Sequence, residues 1–209
     1  MARNILYIAG MLENESSSLF LDIKNEVENL GVSCNFIELY SGKPFGSYSF
    51  QKEVRRIEKV IFNYQPQLIV AHSLGGYIAT HIATPCPLVL LDPSLNIADI
   101  VLPNVNHGKY SDGTYTFQPS SIFLDSIKTT SSIEILTRDS EINGHCIDIF
   151  GAGKGGYKIA EQYHKNLIGS NYFVLPEADH QFQDQESRHK IVELIKKRLK
   201  TKRSSRCNS

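Results

Sequence analysis

Residues 67–76 read Gln-Leu-Ile-Val-Ala-His-Ser-Leu-Gly-Gly, and the fold depends on the transition inside this stretch. Its first half, residues 67–71, is a short apolar run, which is typical of a strand buried on both faces. A helical pattern over residues 75–83 follows almost at once. A strand that turns directly into a helix is the repeating unit of a parallel sheet covered by helices.

The same alternation extends along the rest of the 209 residues. Apolar runs predict six strands, at residues 5–9, 34–39, 67–71, 88–91, 133–136 and 172–175. Helical spacing predicts five main helices, at residues 18–30, 50–62, 75–83, 157–167 and 186–199. The chain is therefore predicted to be α/β, with a mainly parallel sheet and helices on both faces in a three-layer sandwich.

Length and composition predict one globular domain. The chain is 41% hydrophobic and 21% charged, and its length suits a single core. The strand–helix alternation lapses over residues 93–132, which we predict to be a small lid insertion with one helix near residues 121–129. We expect the domain to cover residues 1–200.

The C-terminal end is basic although the formal net charge of the chain is zero. From Arg188 to Ser209 there are nine Lys or Arg residues against one acid, Glu193. We predict a basic, disordered tail at residues 201–209. An alternative interpretation makes the tail a docking element for nucleic acid or an anionic membrane, but it lacks aromatic residues among its charges. We expect neither partner.

The four cysteines show no metal-ligand spacing, and they are Cys34, Cys86, Cys146 and Cys207. We interpret them as reduced thiols of a cytoplasmic protein. No targeting segment is evident, and no apolar stretch approaches the length of a membrane span.

Ser73 lies at the turn between the third strand and its helix. A strained strand-to-helix turn of this kind needs small residues two before and two after the serine, and Ala71 and Gly75 occupy these positions. Such a turn lifts the Ser73 hydroxyl above the carboxyl edge of the sheet and directs the Leu74 N–H toward a developing oxyanion. The simpler interpretation, a serine that only caps a helix, is disfavoured by the strand and helix around it.

With this motif the chain resembles the α/β-hydrolase family in its small, esterase-like forms. The resemblance covers nearly the whole chain and rests on four places in order: residues 5–12, 71–76, 88–93 and 178–182. It implies that the loop after the first strand supplies an oxyanion N–H from Met11, although Ala9 stands where the family usually has His. It also implies that Ala178-Asp179-His180-Gln181-Phe182 carries the catalytic base, His180.

The position of His180 agrees with that role. It follows the last predicted strand by five residues, so it would lie at the same sheet edge as Ser73. A general base must lie within hydrogen-bond reach of the serine proton. The other six histidines have less specific interpretations; His72, for example, occupies the variable position of the turn.

The acid that orients the histidine is less well determined. The family usually takes it from the loop after the penultimate strand, so a strand at residues 133–136 favours Asp139. A strand at residues 146–150 would instead be followed by Gly-Ala-Gly-Lys-Gly-Gly, which contains no acid. Asp92, just past the fourth strand, and Asp148 are the alternatives, and a Ser–His dyad stays open. We prefer Asp139.

The glycines of residues 151–156 do not indicate a nucleotide site. The spacing fails the P-loop pattern, and a dinucleotide fingerprint would belong to the first strand–helix unit with an acid about 20 residues on. We expect a flexible loop near the mouth of the site.

The resemblance implies a serine hydrolase that cleaves a small-molecule carboxylic ester or thioester through an acyl-enzyme on Ser73, with no cofactor or metal. Tyr110, Tyr115 and Phe117 are candidates for the wall of an acyl pocket. The alternative is a non-catalytic member of the fold that acts as a binding or scaffold protein, which Ala9 and the uncertain acid favour.

Overall fold

A computed structural model describes residues 3–82, 84, 86–94, 96–111, 116–129, 147–154, 157–167 and 169–201. Cys146, Cys207, the preferred acid Asp139 and the predicted strand at residues 133–136 lie outside these ranges. So do residues 202–209, most of the predicted tail. The division into a domain, a lid and a tail stays a prediction.

A parallel sheet of six strands forms the centre of the described part of the chain. In chain order the strands are β1 (Asn4–Ile8), β2 (Ser33–Ile37), β3 (Leu68–His72), β4 (Leu88–Leu91), β8 (Ile147–Ala152) and β9 (Asn171–Leu175). Their order across the sheet is β2-β1-β3-β4-β8-β9, with parallel pairing throughout. The predicted α/β class with a parallel sheet is confirmed.

Helices cover both faces of this sheet. They are α1 (Ser18–Glu28), α2 (Phe50–Tyr64), α3 (Ser73–Ala79), α4 (Ile97–Val101), α5 (Ser121–Ile127), α6 (Tyr157–Asn166) and α7 (Gln185–Thr201). Three of them begin after a serine whose Oγ accepts a backbone N–H of the first turn: Ser17 for α1, Ser49 for α2 and Ser120 for α5.

The alternation of side chains along each strand divides the core into two layers. In β1, Leu6 and Ile8 pack in the layer that contains α2, α3 and α6, whereas Ile5 and Tyr7 pack in the layer of α1 and α7. Successive strand residues point to opposite faces, so near-continuous apolar strands can bury both sides. The predicted three-layer arrangement follows from this.

The described part of the stretch between β4 and β8 departs from the strand–helix alternation. It contains α4, α5 and a small antiparallel sheet of β5 (Val105–Asn106), β6 (Lys109–Ser111) and β7 (Thr116–Phe117). The strand between β4 and β9 in the central sheet is β8, at residues 147–152 rather than 133–136. This shift changes which loop follows that strand.

Candidate active site

The turn at Ser73 has the geometry that the sequence predicts. β3 ends at His72, α3 begins at Ser73, and Ser73 has a positive φ of 49°. A Cβ on Gly75 would lie 2.4 Å from the carbonyl oxygens of both Ile8 and Ala9, so only glycine fits where α3 crosses the end of β1. A strained non-glycine residue at a strand end is a common feature of functional sites.

His180 bridges Ser73 and Asp92. Its Nε2 lies 2.9 Å from the Ser73 Oγ, and its Nδ1 lies 2.5 Å from the Asp92 Oδ2. A carboxylate only accepts hydrogen bonds, so Nδ1 carries the proton and Nε2 is free to accept the serine proton. The Asp92 side chain is 2% exposed and that of His180 is 45% exposed. The geometry is therefore that of a Ser–His–Asp triad.

Asp92 is fixed by the end of β8. Its second oxygen, Oδ1, accepts the Ala152 N–H at 3.1 Å, and its own N–H donates to the Phe150 carbonyl at 2.7 Å. Asp92 also has a positive φ, of 41°. Since β4 lies between β3 and β8, the end of β4 lies beside both Ser73 and the backbone groups of β8 that hold Asp92.

The preference for Asp139 is not supported, because the structure places Asp92 at the Nδ1 of His180. Asp139 itself lies outside the described residues. The preference depended on a strand at residues 133–136, whereas β8 is followed by a glycine-rich loop without an acid. The signal for Asp92 was present in the sequence: this acid follows the fourth strand directly.

Asp148 lies elsewhere. Its carboxylate forms a bidentate ion pair with Arg198 of α7, with both N···O distances 2.6 Å, and it accepts a hydrogen bond from Asn171. This side chain is 1% exposed and ties α7 to the sheet. Asp148 is therefore a structural carboxylate, because its partners are Arg198 and Asn171 and not His180.

The glycine-rich loop has a packing role. A Cβ on Gly153 would lie 2.4 Å from the Pro176 carbonyl oxygen, and the Lys154 N–H donates to the Ala178 carbonyl at 2.9 Å. Residues 176–178 lead directly to His180. The described part of the loop thus supports the segment that carries the histidine.

A cavity of about 300 Å³ opens above Ser73. Met11 and Leu74, the predicted oxyanion donors, both line it together with Ser73, His180 and Asp92. The part of the wall that α4 and α6 contribute is aliphatic: Ile97, Ile100, Val101 and Ile159. Such a pocket suits the apolar part of a small molecule.

Two of the aromatic residues proposed for the pocket wall, Tyr110 and Phe117, do not line it. Tyr110 is fully buried and stacks on Phe117, with ring centroids 4.6 Å apart, inside the small sheet. Tyr115 lies outside the described residues. Tyr110 belongs to the core of the layer that contains α2, α3 and α6, and Phe117 packs against that core and against Phe45, so both rings fill the core.

Two residues near Ser73 carried no specific prediction. Glu13 and His72 form a buried pair in which Glu13 Oε2 lies 2.9 Å from His72 Nδ1. Burial by itself would raise the pKa of Glu13, but the hydrogen bond and charge of His72 outweigh it and lower that pKa to about 2. The sequence held only a weak signal, an acid shortly after β1 and a histidine in the turn.

The ranges that the structure describes contain no cluster of three or more His, Cys, Asp or Glu side chains arranged to hold a metal ion. None of the described helices is long and apolar enough to cross a bilayer. The cytoplasmic location stays a prediction.

The chain can be compared with known proteins by sequence and by structure. The sequence profile of the uncharacterised protein family UPF0227 matches residues 32–196. No curated protein sequence matches at a significant level.

Among solved structures, the chain is similar to alpha/beta hydrolase domain-containing protein 10 from mouse, with a TM-score of 0.74, 13% identity and coverage of 95% of this chain and 90% of that one. It is also similar to Est1E from Butyrivibrio proteoclasticus, with a TM-score of 0.72, 12% identity and coverage of 95% and 88%. A third is the esterase domain of a Rhodothermus marinus protein, with a TM-score of 0.67, 14% identity and coverage of 93% and 85%. The α/β-hydrolase fold is thereby confirmed.

Proposed function

The chain belongs to the uncharacterised protein family UPF0227, and we propose that it is a serine hydrolase that cleaves a carboxylic ester or thioester. The observation that carries this proposal is the continuous contact from Ser73 Oγ through the His180 ring to Asp92. His180 has the tautomer that a general base needs, and Asp92 holds it.

The reaction proceeds in two steps. Ser73 Oγ attacks the substrate carbonyl while His180 Nε2 takes its proton, and the N–H groups of Met11 and Leu74 stabilise the oxyanion. His180 then gives that proton to the leaving alcohol or thiol, which departs and leaves an acyl-enzyme. Water, deprotonated by His180, attacks the acyl carbonyl, and the acid is released as Ser73 recovers its proton.

The cavity favours an acyl group with an apolar body. α4 and α6 contribute aliphatic side chains to its wall, while the polar groups are concentrated around Ser73. Apolar pockets with a few convergent polar groups are the usual form of small-molecule sites.

A fluorophosphonate probe tests the proposal, because it reacts with an activated serine and not with an ordinary one. We expect stoichiometric labelling of the native protein and none of Ser73→Ala. Ser170→Ala is a matched control, since the Ser170 hydroxyl lies 2.8 Å from His164 Nδ1 in a separate serine–histidine contact. That variant should be labelled as fast as the wild type.

Hydrolysis of a p-nitrophenyl ester and of an acyl thioester should accompany the labelling and disappear with it in Ser73→Ala. A folded wild type that neither reacts with the probe nor hydrolyses either substrate would contradict the proposal. It would favour the alternative of a non-catalytic binding protein.

A further inference from the structure

The Glu13 carboxylate is the centre of a buried hydrogen-bond network. Its Oε1 accepts the hydroxyls of Tyr7 and Ser17, each at 2.8 Å, and its Oε2 accepts the Gly10 N–H at 2.7 Å. The same Oε2 lies 2.9 Å from His72 Nδ1. The Glu13 side chain is 6% exposed and that of His72 is 2% exposed. Four donors around one carboxylate favour its ionised form.

His72 has an acceptor at each ring nitrogen. Nδ1 faces the Glu13 carboxylate, and Nε2 lies 2.8 Å from the backbone carbonyl oxygen of His180. A carbonyl oxygen and an ionised carboxylate both only accept hydrogen bonds, so both nitrogens of His72 carry protons. Burial would lower the pKa of His72, but its hydrogen bond to Glu13 and the Glu13 charge raise it. His72 is therefore a buried imidazolium paired with Glu13.

This ion pair connects three segments of the candidate active site. Glu13 holds Gly10, which precedes the oxyanion residue Met11, and His72 directly precedes Ser73. The other ring nitrogen of His72 holds the backbone of His180 itself. A Cβ on Gly10 would lie 3.2 Å from His72 Nδ1 and 3.3 Å from Glu13 Oε2, so the three segments are closely packed here.

We propose that Glu13 and His72 are positioning residues that fix the oxyanion loop and the His180 backbone relative to Ser73. This inference rests on the proposed hydrolase function of the same site. Glu13 contacts the backbone of Gly10, which precedes Met11, and His72 contacts the backbone of His180, so we expect the effect of the pair to be on geometry. A displacement of about 1 Å at an active site can cost on the order of 100-fold in rate.

Other groups face the pair. The His180 ring lies alongside His72, with centroids 5.2 Å apart, and the Phe182 ring approaches His72 by its edge at 6.1 Å. The nearby Asp92 charge acts on His72 in the same direction as Glu13 does. Tyr7 and Ser17 face Glu13 with neutral hydroxyls.

The protonation of His72 can be observed directly by ¹⁵N–¹H NMR of the imidazole rings. We expect the His72 ring to be mainly protonated on both nitrogens at pH 6.5, the ordinary pKa of histidine, in the wild type and in Ser73→Ala alike. A mainly neutral His72 ring at pH 6.5, with one unprotonated nitrogen, would overturn the ion pair. This measurement does not depend on enzymatic activity.

The positioning role is tested by Glu13→Gln. The amide keeps the shape of the carboxylate but removes the charge that balances His72. We expect kcat for a p-nitrophenyl ester to fall about 10- to 100-fold while KM changes less than about threefold. Glu13 lines the cavity, but Gln has nearly the same shape and the aliphatic side chains of α4 and α6 in the wall are unchanged.

Glu53→Gln is the matched control. Glu53 is a fully buried carboxylate, which accepts hydrogen bonds from the Tyr40 N–H and the Tyr48 hydroxyl and pairs with Arg56. It does not line the cavity. We expect Glu53→Gln to lose stability but to keep its kcat within about twofold. Equal losses of kcat in the two folded variants would overturn the positioning role.

His72 provides a second test in case Glu13→Gln does not fold. His72→Gln keeps an N–H donor that can reach the His180 carbonyl, whereas His72→Leu has none. We expect His72→Gln to retain at least about fivefold more kcat than His72→Leu, and equal values would overturn the inference. A wild type without probe labelling or turnover would instead contradict the hydrolase proposal, which separates the two failures.

Discussion

Among the single side chains of the site, Asp92 is the one that orients the proposed general base, His180. Its Oδ2 holds the Nδ1 proton of His180, and its Oδ1 is held by the Ala152 N–H. The carboxylate therefore fixes both the tautomer and the orientation of the ring. An amide in its place could donate to Nδ1 and shift the proton to Nε2, where it would block acceptance from Ser73.

We therefore expect Asp92→Asn to lower kcat on the order of 10⁴-fold, as loss of the orienting acid does in serine proteases. Steady-state hydrolysis of a p-nitrophenyl ester measures the effect. Asp139→Asn is the matched control and should stay within a few fold of the wild type. If Asp139→Asn abolishes turnover while Asp92→Asn does not, Asp92 is not the catalytic acid.

Among the secondary structure elements, the contact between α3 and the end of β1 decides where the serine lies. Gly75 approaches the Ile8 and Ala9 carbonyl oxygens so closely that no Cβ fits. Gly76, the next residue, faces Pro93, where a Cβ would lie 3.0 Å from the Pro93 Cβ. The Gly75 contact is with two backbone carbonyl oxygens at the end of β1, whereas the shortest Gly76 contact is with the Pro93 side chain at a longer distance, so the first is less able to relax.

Gly75→Ala should therefore push α3 away from β1 and move Ser73 with it. We expect a loss of about 1–3 kcal/mol in the free energy of unfolding, the usual cost of overpacking a core. Fluorophosphonate labelling should slow as well. Gly76→Ala should cost less stability, and urea denaturation of both variants provides the comparison. A smaller loss for Gly75→Ala than for Gly76→Ala would contradict this account of the turn.

For the molecule as a whole, the buried pair of Glu13 and His72 links stability to pH. The folded pKa of Glu13, about 2, is below its ordinary value of 4.5. The ionised Glu13 therefore contributes fully to the free energy of unfolding above about pH 4.5, and this contribution is lost as the pH falls toward 2. The pKa of His72 in the folded protein is raised above 6.5. The protonated His72 therefore contributes fully to the free energy of unfolding below about pH 6.5, and this contribution is lost as the pH rises through the folded pKa.

The stability difference between wild type and Glu13→Gln should consequently be largest between about pH 4.5 and 6.5. We expect a difference of about 3 kcal/mol in that window, the scale for breaking a buried ion pair by removing one partner. Urea denaturation at pH 3, 5.5 and 9 tests it, and the difference should shrink at pH 3. A difference that stays constant from pH 3 to 9 would mean that the pair is not charged.

The sequence by itself determined the class of the fold, the position of Ser73 and the contact of His180 with it. These features are local or periodic: the apolar runs define buried strands, and the small residues around Ser73 permit its turn. The family resemblance implied that His180 is the base, and its place after the last strand agreed with that role, because the carboxyl ends of parallel strands meet at one sheet edge.

Only the tertiary structure decided which acid meets His180 and what Glu13 and His72 do. The acid depends on which segment pairs with β4, and the apolar run at residues 133–136 and that of β8 are both plausible strands by pattern. The Glu13–His72 contact joins residues 59 positions apart, and the bond from His72 to the His180 carbonyl spans 108. Such contacts have no periodicity along the chain, because they are created only when separate strands bring their ends together.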